Sequence, residues 1–490
     1  MRAWSLVLAL FGVSSLVGLA ASSQLSSGET PVAIGDGSVI QVEAGELQVP
    51  ESRRRRTARR VTIPYYRLKS SSPTPASPIF LLAGGPGSSG IDLFRAEETH
   101  REAMFYRTIA DVVMFDQRGG GHARPEMHCT QTRQFPLGQP IDEQRFLASA
   151  REALIECRDE HLRQGVDLAA YNTVENAADV NDLRIALGYK RIALIGGSYG
   201  SHLALQVMRQ YPDTIDRVAI FGVEGPDHTW DSPSGMLDTL ERIADATEHS
   251  PAFAGRVPEG GLLKTFERVL ARLEAAPQSI TITDRAQPRT VTIDAAFVRR
   301  AWRRDAGRRG DPNIWPELII AMDRGDFSAF GRRAIANRTI ELPDPMHFSM
   351  DCSSGISEQR RRRYERDPAR LLLGDINFEY EALCEVWPAE KLDASFHDNV
   401  MSDIPTLIVH GTWDMSTPLE NAREVARTLR RSRLVEVIGG NHGALYNLYE
   451  RWAPMRDRMR EFLTGHDADF PATIDDMKEI IFKTTREVSQ

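Results

Sequence analysis

A serine at position 198 stands where a strand-like run gives way to a helix-like one. The stretch IALIGGSYGSHLAL (192–205) places Ser198 between Gly196 and Gly200, in the pattern G-x-S-x-G. In a strand–turn–helix context this pattern displays the serine hydroxyl at the carboxyl edge of a sheet. The alternative is a tight packing turn, because glycines also permit close backbone approach. A serine is a poor nucleophile without a base. The catalytic interpretation of Ser198 therefore requires a suitable base elsewhere in the chain.

Two candidate partners follow Ser198, each after a strand-like run. Asp414 ends TLIVHGTWD (406–414), and His442 lies in GGNHGAL (439–445). A histidine that takes the serine proton needs an acid to orient it. Asp414 has the alternative role of a turn or helix cap, and His442 that of an ordinary loop histidine. The chain order Ser, Asp, His, with each residue at a strand end, favours the catalytic triad of a serine hydrolase.

Acyl transfer also needs N–H donors for the oxyanion of the tetrahedral intermediate. One expected donor is the backbone N–H of Tyr199, the residue after the serine. The other is the backbone N–H of Gly85 in AGGPGSSG (83–90), where glycines let the backbone approach a substrate. Ser198, Asp414, His442, Tyr199 and Gly85 therefore form the predicted catalytic machinery.

The elements that must position these residues alternate between strand and helix. PIFLLAGGPG (78–87) is a short apolar run ending in glycine, and NTVENAADVNDLRIALGY (172–189) has the cap and apolar spacing of a helix. Such alternation predicts an α/β fold with a mostly parallel sheet covered by helices on both faces. Helical patterns dominate later, so we predict a core of residues 22–227 and 399–490 and an inserted, mainly helical cap of residues 228–398.

The composition excludes several classes of function. The 490 residues are 41% hydrophobic and 26% charged, with a formal net charge of −8, which argues against a general nucleic-acid or membrane-surface binder. The basic run RRRRTARR (53–60) is interpreted as a solvated strand or hairpin. No C-x-x-C pattern or histidine-rich cluster suggests a metal, and no cofactor is expected.

The N-terminal residues predict export. Arg2 precedes a mostly apolar stretch, and small residues follow near Ala21, so residues 1–21 are interpreted as a signal peptide. An uncleaved membrane anchor is the alternative.

Four cysteines are present, an even number that agrees with disulfides in an exported protein, and they allow three pairings. Proximity in sequence and separation into core and cap favour Cys129 with Cys157 and Cys352 with Cys384. Four buried free thiols are the alternative.

With these motifs assembled, the chain resembles the proline iminopeptidase and tripeptidyl aminopeptidase branch of the α/β hydrolases, serine peptidase family S33. The matching pieces keep the family's order over about 360 residues: GGPG (84–87), DQRGGGHARP (116–125), YNTVENAADVNDLRIALGY (171–189), GGSYG (196–200), GTWDMSTP (411–418) and GNHG (440–443). Ala83 replaces the histidine of the iminopeptidase pattern H-G-G-P-G. In the second piece we expect Asp116 and Arg118 to form a charge-assisted pair.

The resemblance implies an α/β-hydrolase fold whose cap covers the site, and an exported serine aminopeptidase, periplasmic or secreted. Its partner would be a peptide with a free N-terminus. Binding to nucleic acid, or to a membrane after signal cleavage, is not expected. Recognition of a free amine calls for a carboxylate, and Glu224, after VAIFGV (218–223), is the candidate. Its alternative role is a structural hydrogen bond. An esterase or small-amide hydrolase, or a non-catalytic binding protein, are the competing functions.

Overall fold

The structure is a computed structural model that describes residues 24–475 except 56–57, 142, 304–313 and 467. The predicted signal peptide therefore lies outside the described residues. The strands of the described chain, numbered in order, are β1 (Gln24–Ala33), β2 (Val39–Pro50), β3 (Arg60–Leu68), β4 (Ile79–Leu82), β5 (Val112–Phe115), β6 (Thr132–Gln134), β7 (Ile192–Ser198), β8 (Ile215–Val223), β9 (Gln278–Asp284), β10 (Gln287–Ile293), β11 (Thr339–Glu341), β12 (Thr406–Gly411), β13 (Ser432–Val437) and β14 (Thr473–Ile474).

Ten of these strands form one sheet in the order β1-β2-β3-β5-β4-β7-β8-β12-β13-β14. The strands from β5 to β14 in this order run parallel, whereas β1, β2 and β3 form an antiparallel edge that joins β5. The prediction of a mostly parallel sheet is confirmed. Because parallel strands end at the same edge, the residues that follow β7, β8, β12 and β13 are brought together there.

Helices cover the sheet and build most of the remaining chain. They are α1 (Gly90–Arg95), α2 (Glu97–Arg107), α3 (Glu143–Arg163), α4 (Thr173–Ala186), α5 (Tyr199–Gln210), α6 (Pro233–Glu248), α7 (Gly261–Ala275), α8 (Ala295–Arg303), α9 (Trp315–Asp323), α10 (Ser328–Ala336), α11 (Pro345–Ser354), α12 (Glu358–Glu365), α13 (Arg370–Leu373), α14 (Phe378–Cys384), α15 (Leu419–Ala426), α16 (Ala444–Arg451) and α17 (Met455–Leu463). Among the described residues, none of these helices is long and apolar enough to cross a bilayer.

The two faces of the sheet pack into two apolar clusters. Along β7, Leu194 belongs to one cluster, whereas Ala193 and Ile195 belong to the other. This alternation follows from the strand pleat, which points successive side chains to opposite faces. The first cluster continues without a break into Phe266 of α7 and Trp302 of α8. The helical region after β8 is therefore seated on one face of the sheet.

Helices α6 to α14 and the β9–β10 hairpin lie within residues 228–398, the predicted cap. A segment from earlier in the chain reaches the same region. Strand β6 pairs with β11, with Thr132 opposite Glu341. Arg151 of α3 donates to the carbonyl oxygen of Ala382 at 2.6 Å. Residues between β5 and α4 thus pack against the region of residues 228–398, and the domain boundaries given above stay a prediction.

All four cysteines form disulfides, in the pairing expected from sequence. Cys129 is bonded to Cys157 with their Cα atoms 5.3 Å apart, and Cys352 to Cys384 with their Cα atoms 5.2 Å apart. The first bond ties the loop after β5 to α3, and the second ties α11 to α14. Each bond therefore closes a local loop, with sequence separations of 28 and 32 residues.

Arg118 is fully buried at the centre of an ionic cluster. Its guanidinium donates to the two carboxylate oxygens of Asp179 at 2.6 and 2.7 Å. It also donates to the carbonyl oxygens of Glu51 and Ala170 at 2.6 and 2.8 Å. Arg53, the first residue of the basic run, shares Asp179 at 2.7 Å. This cluster joins the antiparallel edge of the sheet to α4.

The expected pair between Asp116 and Arg118 is wrong. Asp116 instead accepts from the backbone N–H of Ile91 at 3.1 Å and of His122 at 2.8 Å. Asp116 and Arg118 are close in sequence, but their side chains point into different surroundings. Asp116 holds its own loop and the start of α1, while Arg118 reaches the carboxylate of α4.

We expect Asp179→Asn to lower the free energy of unfolding by about 3 kcal/mol or more, because it leaves the buried Arg118 charge without its main counter-ion. Asp182→Asn is the matched control. Asp182 is 28% exposed and pairs only with Arg53, so its loss is worth less than about 1 kcal/mol. Urea unfolding followed by far-ultraviolet circular dichroism measures both. Equal effects of the two variants would contradict a special role for the Arg118–Asp179 pair.

Candidate active site

Ser198 ends β7 and immediately precedes α5. Its backbone has φ 55° and ψ −131°, a conformation that side-chain-bearing residues rarely adopt. The flanking glycines permit this sharp turn. A Cβ built on Gly196 would lie 2.3 Å from the carbonyl oxygen of Gly200, and one on Gly200 would lie 2.2 Å from that of Leu82. Side chains at either position would clash with backbone, which explains the G-x-S-x-G spacing physically.

Asp414 and His442 come together at the same edge of the sheet. Nδ1 of His442 lies 2.8 Å from Oδ2 of Asp414. Asp414 follows β12 and is 1% exposed, whereas the His442 side chain, after β13, is 26% exposed. A buried carboxylate is thus paired with a histidine that is partly exposed.

His442 also lies beside the strand that neighbours Ser198. A Cβ built on Gly222 would be 2.8 Å from Cε1 of the His442 ring, and Gly222 has φ 50°. The next residue of β8, Val223, is the Cα partner of Ser198 on β7. The imidazole therefore packs against β8 one residue away from the position opposite the serine. Any side chain at position 222 would displace the ring.

The Asp414 carboxylate is held in its ionised form. Burial acts to raise its pKa, but the opposite charge and hydrogen bond of His442, together with other donors, lower the pKa below its ordinary value. The backbone N–H of Ser416 and Thr417 donate to Oδ1 at 3.0 and 2.9 Å, and the Thr417 hydroxyl donates to Oδ2 at 2.8 Å. Asp414 accordingly caps its own turn as well as contacting His442.

The elements that carry the two expected oxyanion donors both adjoin Ser198. Tyr199 is the first residue of α5, so its backbone N–H belongs to the open N-terminus of that helix. On the other side, a Cβ built on Gly84, the residue before Gly85, would lie 3.1 Å from Cβ of Ser198. The loop that carries Gly85 is therefore in contact with the serine.

A chain of buried amides joins these two sides. The side-chain amide of Gln117 donates to the carbonyl oxygen of Ala83 at 2.8 Å. Asn176 of α4 donates to Gln117 and to the Tyr199 hydroxyl, both at 3.1 Å. The network fixes the spacing between the Gly85 loop and the start of α5.

Glu224 follows β8 and is connected to the serine by two hydrogen bonds. Its backbone N–H donates to Oγ of Ser201 at 2.9 Å, and the Ser201 hydroxyl donates to the carbonyl oxygen of Ser198 at 2.6 Å. The Glu224 side chain is 16% exposed, and its Oε1 lies 3.8 Å from Nδ1 of His202. Burial lowers the pKa of His202 to about 4, so this histidine is neutral near pH 7. The imidazole beside Glu224 is therefore uncharged near pH 7.

Several supporting residues of the site were not predicted from the sequence. Thr417 contacts Asp414, and buried His410 accepts from the backbone N–H of Val223 at 3.2 Å and donates to the carbonyl oxygen of Thr417 at 2.7 Å. The signal available in sequence is a Thr three residues after Asp414, a spacing typical of a side chain that closes a turn. Among the described residues, no group of three or more His, Cys, Asp or Glu side chains is arranged to hold a metal ion.

The chain is similar to known proteins over most of its length. A family model described as alpha/beta hydrolase fold matches residues 77–306, and one described as TAP-like protein matches residues 372–468. The chain is 26% identical over 403 residues to the tripeptidyl aminopeptidase of Streptomyces lividans, covering 74% of this chain and 70% of that protein.

Two further relatives come from other bacteria. The chain is 22% identical over 413 residues to the serine protease Hip1 of Mycobacterium tuberculosis, covering 74% of each protein. It is 26% identical over 371 residues to a proline iminopeptidase of Xylella fastidiosa, covering 75% of this chain and 83% of that protein. The fold is that of an α/β hydrolase, and these similarities support a hydrolase of the serine peptidase S33 type.

We expect Thr417→Val to lower kcat by about 10- to 100-fold, because a hydrogen bond to a charged group contributes about 1.5 to 3 kcal/mol. The variant removes the hydroxyl that donates to Asp414 while keeping the side-chain shape. Thr428→Val is the control, since that hydroxyl donates only to the carbonyl oxygen of Val425. Steady-state kinetics and thermal unfolding of both variants would show whether activity falls without a matching loss of stability. A Thr417→Val enzyme as fast as Thr428→Val would refute the role.

Proposed function

We propose that this protein is an exported serine aminopeptidase that acts through Ser198, Asp414 and His442. Ser198 attacks the carbonyl carbon of the scissile peptide bond, and His442 takes the serine proton. His442 then gives that proton to the leaving amine, which leaves an acyl-enzyme at Ser198. Water attacks the acyl-enzyme with His442 again as base, releasing the N-terminal product and the free serine. Asp414 orients His442 throughout.

The observation that carries this proposal is the 2.8 Å contact between His442 Nδ1 and Asp414 Oδ2. With Nδ1 engaged by a buried carboxylate, Nε2 is the nitrogen left to serve as base. The strained backbone of Ser198 at the end of β7 supports its role as the displayed nucleophile.

The oxyanion would be held by the backbone N–H groups of Gly85 and Tyr199. Both residues flank Ser198, and the Gln117–Asn176 network sets the distance between their elements. Preorganised donors of this kind stabilise the transition state because they need no rearrangement as charge develops.

The substrate class follows from the relatives and from Glu224. The similar proteins from Streptomyces and Xylella are named as aminopeptidases and iminopeptidases. The Glu224 backbone is linked through the Ser201 hydroxyl to the Ser198 carbonyl, and we propose that the Glu224 carboxylate attracts a peptide's α-ammonium group. We propose that residues 228–398 act as a cap that restricts access to Ser198 and Glu224.

Export is supported by the two disulfides, since such bonds persist in oxidising compartments. We propose that residues 1–21 are removed and that the enzyme acts in the periplasm or the medium. No cofactor enters the proposed steps.

A fluorophosphonate probe tests the nucleophile. Wild type should be labelled covalently, whereas Ser198→Ala should not, and its peptidase activity should fall by about 10⁴-fold or more. Ser328→Ala is the control, because Ser328 is an exposed serine at the start of α10. Labelling of Ser198→Ala at the wild-type rate would show that the nucleophile lies elsewhere.

Glu224→Gln tests recognition of the amine. The change keeps the shape and removes the charge, so kcat/KM for peptides with a free N-terminus should fall about 100-fold, while hydrolysis of a simple acyl ester changes little. Parallel measurement of the two substrates distinguishes the roles. If Glu224→Gln lowers the hydrolysis of both the peptide and the ester, Glu224 has a structural role. If wild type cleaves N-acetylated peptides as fast as free ones, the aminopeptidase proposal fails and an esterase or endopeptidase takes its place.

A further inference from the structure

A recess with a volume of about 280 Å³ opens between helix α12 and helix α15. Helix α12 belongs to residues 228–398, whereas α15 packs against β12 and β13 of the sheet. The lining includes the arginines Arg360, Arg363 and Arg427 and the carboxylates Asp227 and Glu424. Three guanidinium groups against two carboxylates leave the recess with one positive charge.

The two carboxylates of the recess are already engaged within its wall. Asp227 accepts from the backbone N–H and from the hydroxyl of Ser357, both at 2.6 Å. Arg360 donates to the two oxygens of Glu424 at 2.8 and 2.9 Å, and its Nε lies 3.2 Å from Oδ2 of Asp227. These acids are therefore neutralised mainly by Arg360 and its neighbours, and the positive charge that remains belongs to Arg363 and Arg427.

Arg363 and Arg427 reach the recess from different helices, and both side chains are exposed. Arg363 lies on α12, and Arg427 directly follows α15. Within the described part of the chain, neither guanidinium forms a hydrogen bond or an ion pair. By contrast, Arg362, the neighbour of Arg363 on α12, pairs with Glu358 at 3.0 Å. The two arginines that face the recess thus have donors that no described acid uses.

One amide from each side adds further donors to the same recess. Gln359 lies on α12, one turn before Arg363, and Asn399 lies in the segment that leads to β12. Neither side-chain amide is hydrogen-bonded to another described residue. Each amide offers two N–H groups, and each guanidinium offers five. The donor set therefore suits a ligand that carries negative charge and several acceptor oxygens.

The number of oxygens decides which anion suits this set best. A guanidinium binds a carboxylate or a phosphate group through two parallel N–H bonds. A carboxylate has two oxygens, which match one such fork. A phosphate group offers more oxygens in a tetrahedral arrangement, so it can accept from two guanidinium groups that approach from different helices.

We propose that this recess binds a phosphate group through Arg363 and Arg427, with Gln359 and Asn399 as further donors. The inference stands apart from the proposed peptidase activity, because none of these residues takes part in the proposed catalytic steps. The volume of the recess exceeds that of a phosphate ion, so a phosphate monoester fits as well as inorganic phosphate. A bound phosphate group would contact α12 and the end of α15 together, and would thus connect residues 228–398 to the layer that covers the sheet.

Isothermal titration calorimetry of the whole protein at constant ionic strength tests the site with inorganic phosphate, glycerol 3-phosphate and acetate. Wild type should bind both phosphate compounds saturably and acetate about tenfold more weakly or less. Arg363→Gln and Arg427→Gln should each lower phosphate affinity about tenfold, since each removes one charged fork. Arg362→Gln makes the same charge change on α12 outside the recess, so as the matched control it should change affinity less than about twofold.

Several results would overturn the proposal. These are the absence of saturable phosphate binding to wild type, unchanged affinity in Arg363→Gln and Arg427→Gln, an equal loss in Arg362→Gln, and acetate binding as tight as phosphate binding. If the expected pattern holds, tighter binding of glycerol 3-phosphate identifies an organic phosphate as the ligand, and tighter binding of phosphate identifies the free ion. Should a glutamine variant not fold, Arg363→Lys and Arg427→Lys replace it. They keep the charge and remove the fork, so affinity should still fall.

Discussion

The strained turn at Ser198 is the constraint on which the rest of the site depends. A positive φ at a residue with a side chain costs on the order of 1 to 3 kcal/mol and persists only where surrounding packing enforces it. Here β7 and α5 are fixed on both sides of the turn, and the backbone of Gly200 is pressed against Leu82 of β4. Tyr199 is buried and hydrogen-bonded directly after the serine. The burial of neighbouring residues therefore holds the backbone of Ser198 in an otherwise unfavourable conformation.

Histidines around this turn serve as neutral supports rather than as charges. Burial lowers the pKa of His202 and of His410, so both are uncharged near pH 7. His410 links the backbone of β8 to the carbonyl of Thr417, and Thr417 in turn donates to Asp414. This line of contacts fixes Asp414 relative to the strand on which His442 packs. His442 differs from these two buried histidines because its imidazole is partly exposed at the site.

The sequence predicts the parts that depend on local pattern and chain order. The parallel sheet, the helix cap at Asn172 and the two disulfides were all expected from runs, spacings and proximity, and the structure has them. The wrong pair was Asp116 with Arg118, because the partner of a buried charge is chosen by tertiary packing and Asp179 lies 61 residues away.

The strand pair β6–β11 has a mechanical consequence. The region of residues 228–398 leaves the sheet after β8 and returns before β12, and two such attachment points would form a hinge. The β6–β11 pair adds a third attachment from a loop that the Cys129–Cys157 bond stiffens. The region of residues 228–398 is therefore restrained by strand pairing as well as by its two connections to the sheet, which reduces its freedom to rotate as a unit.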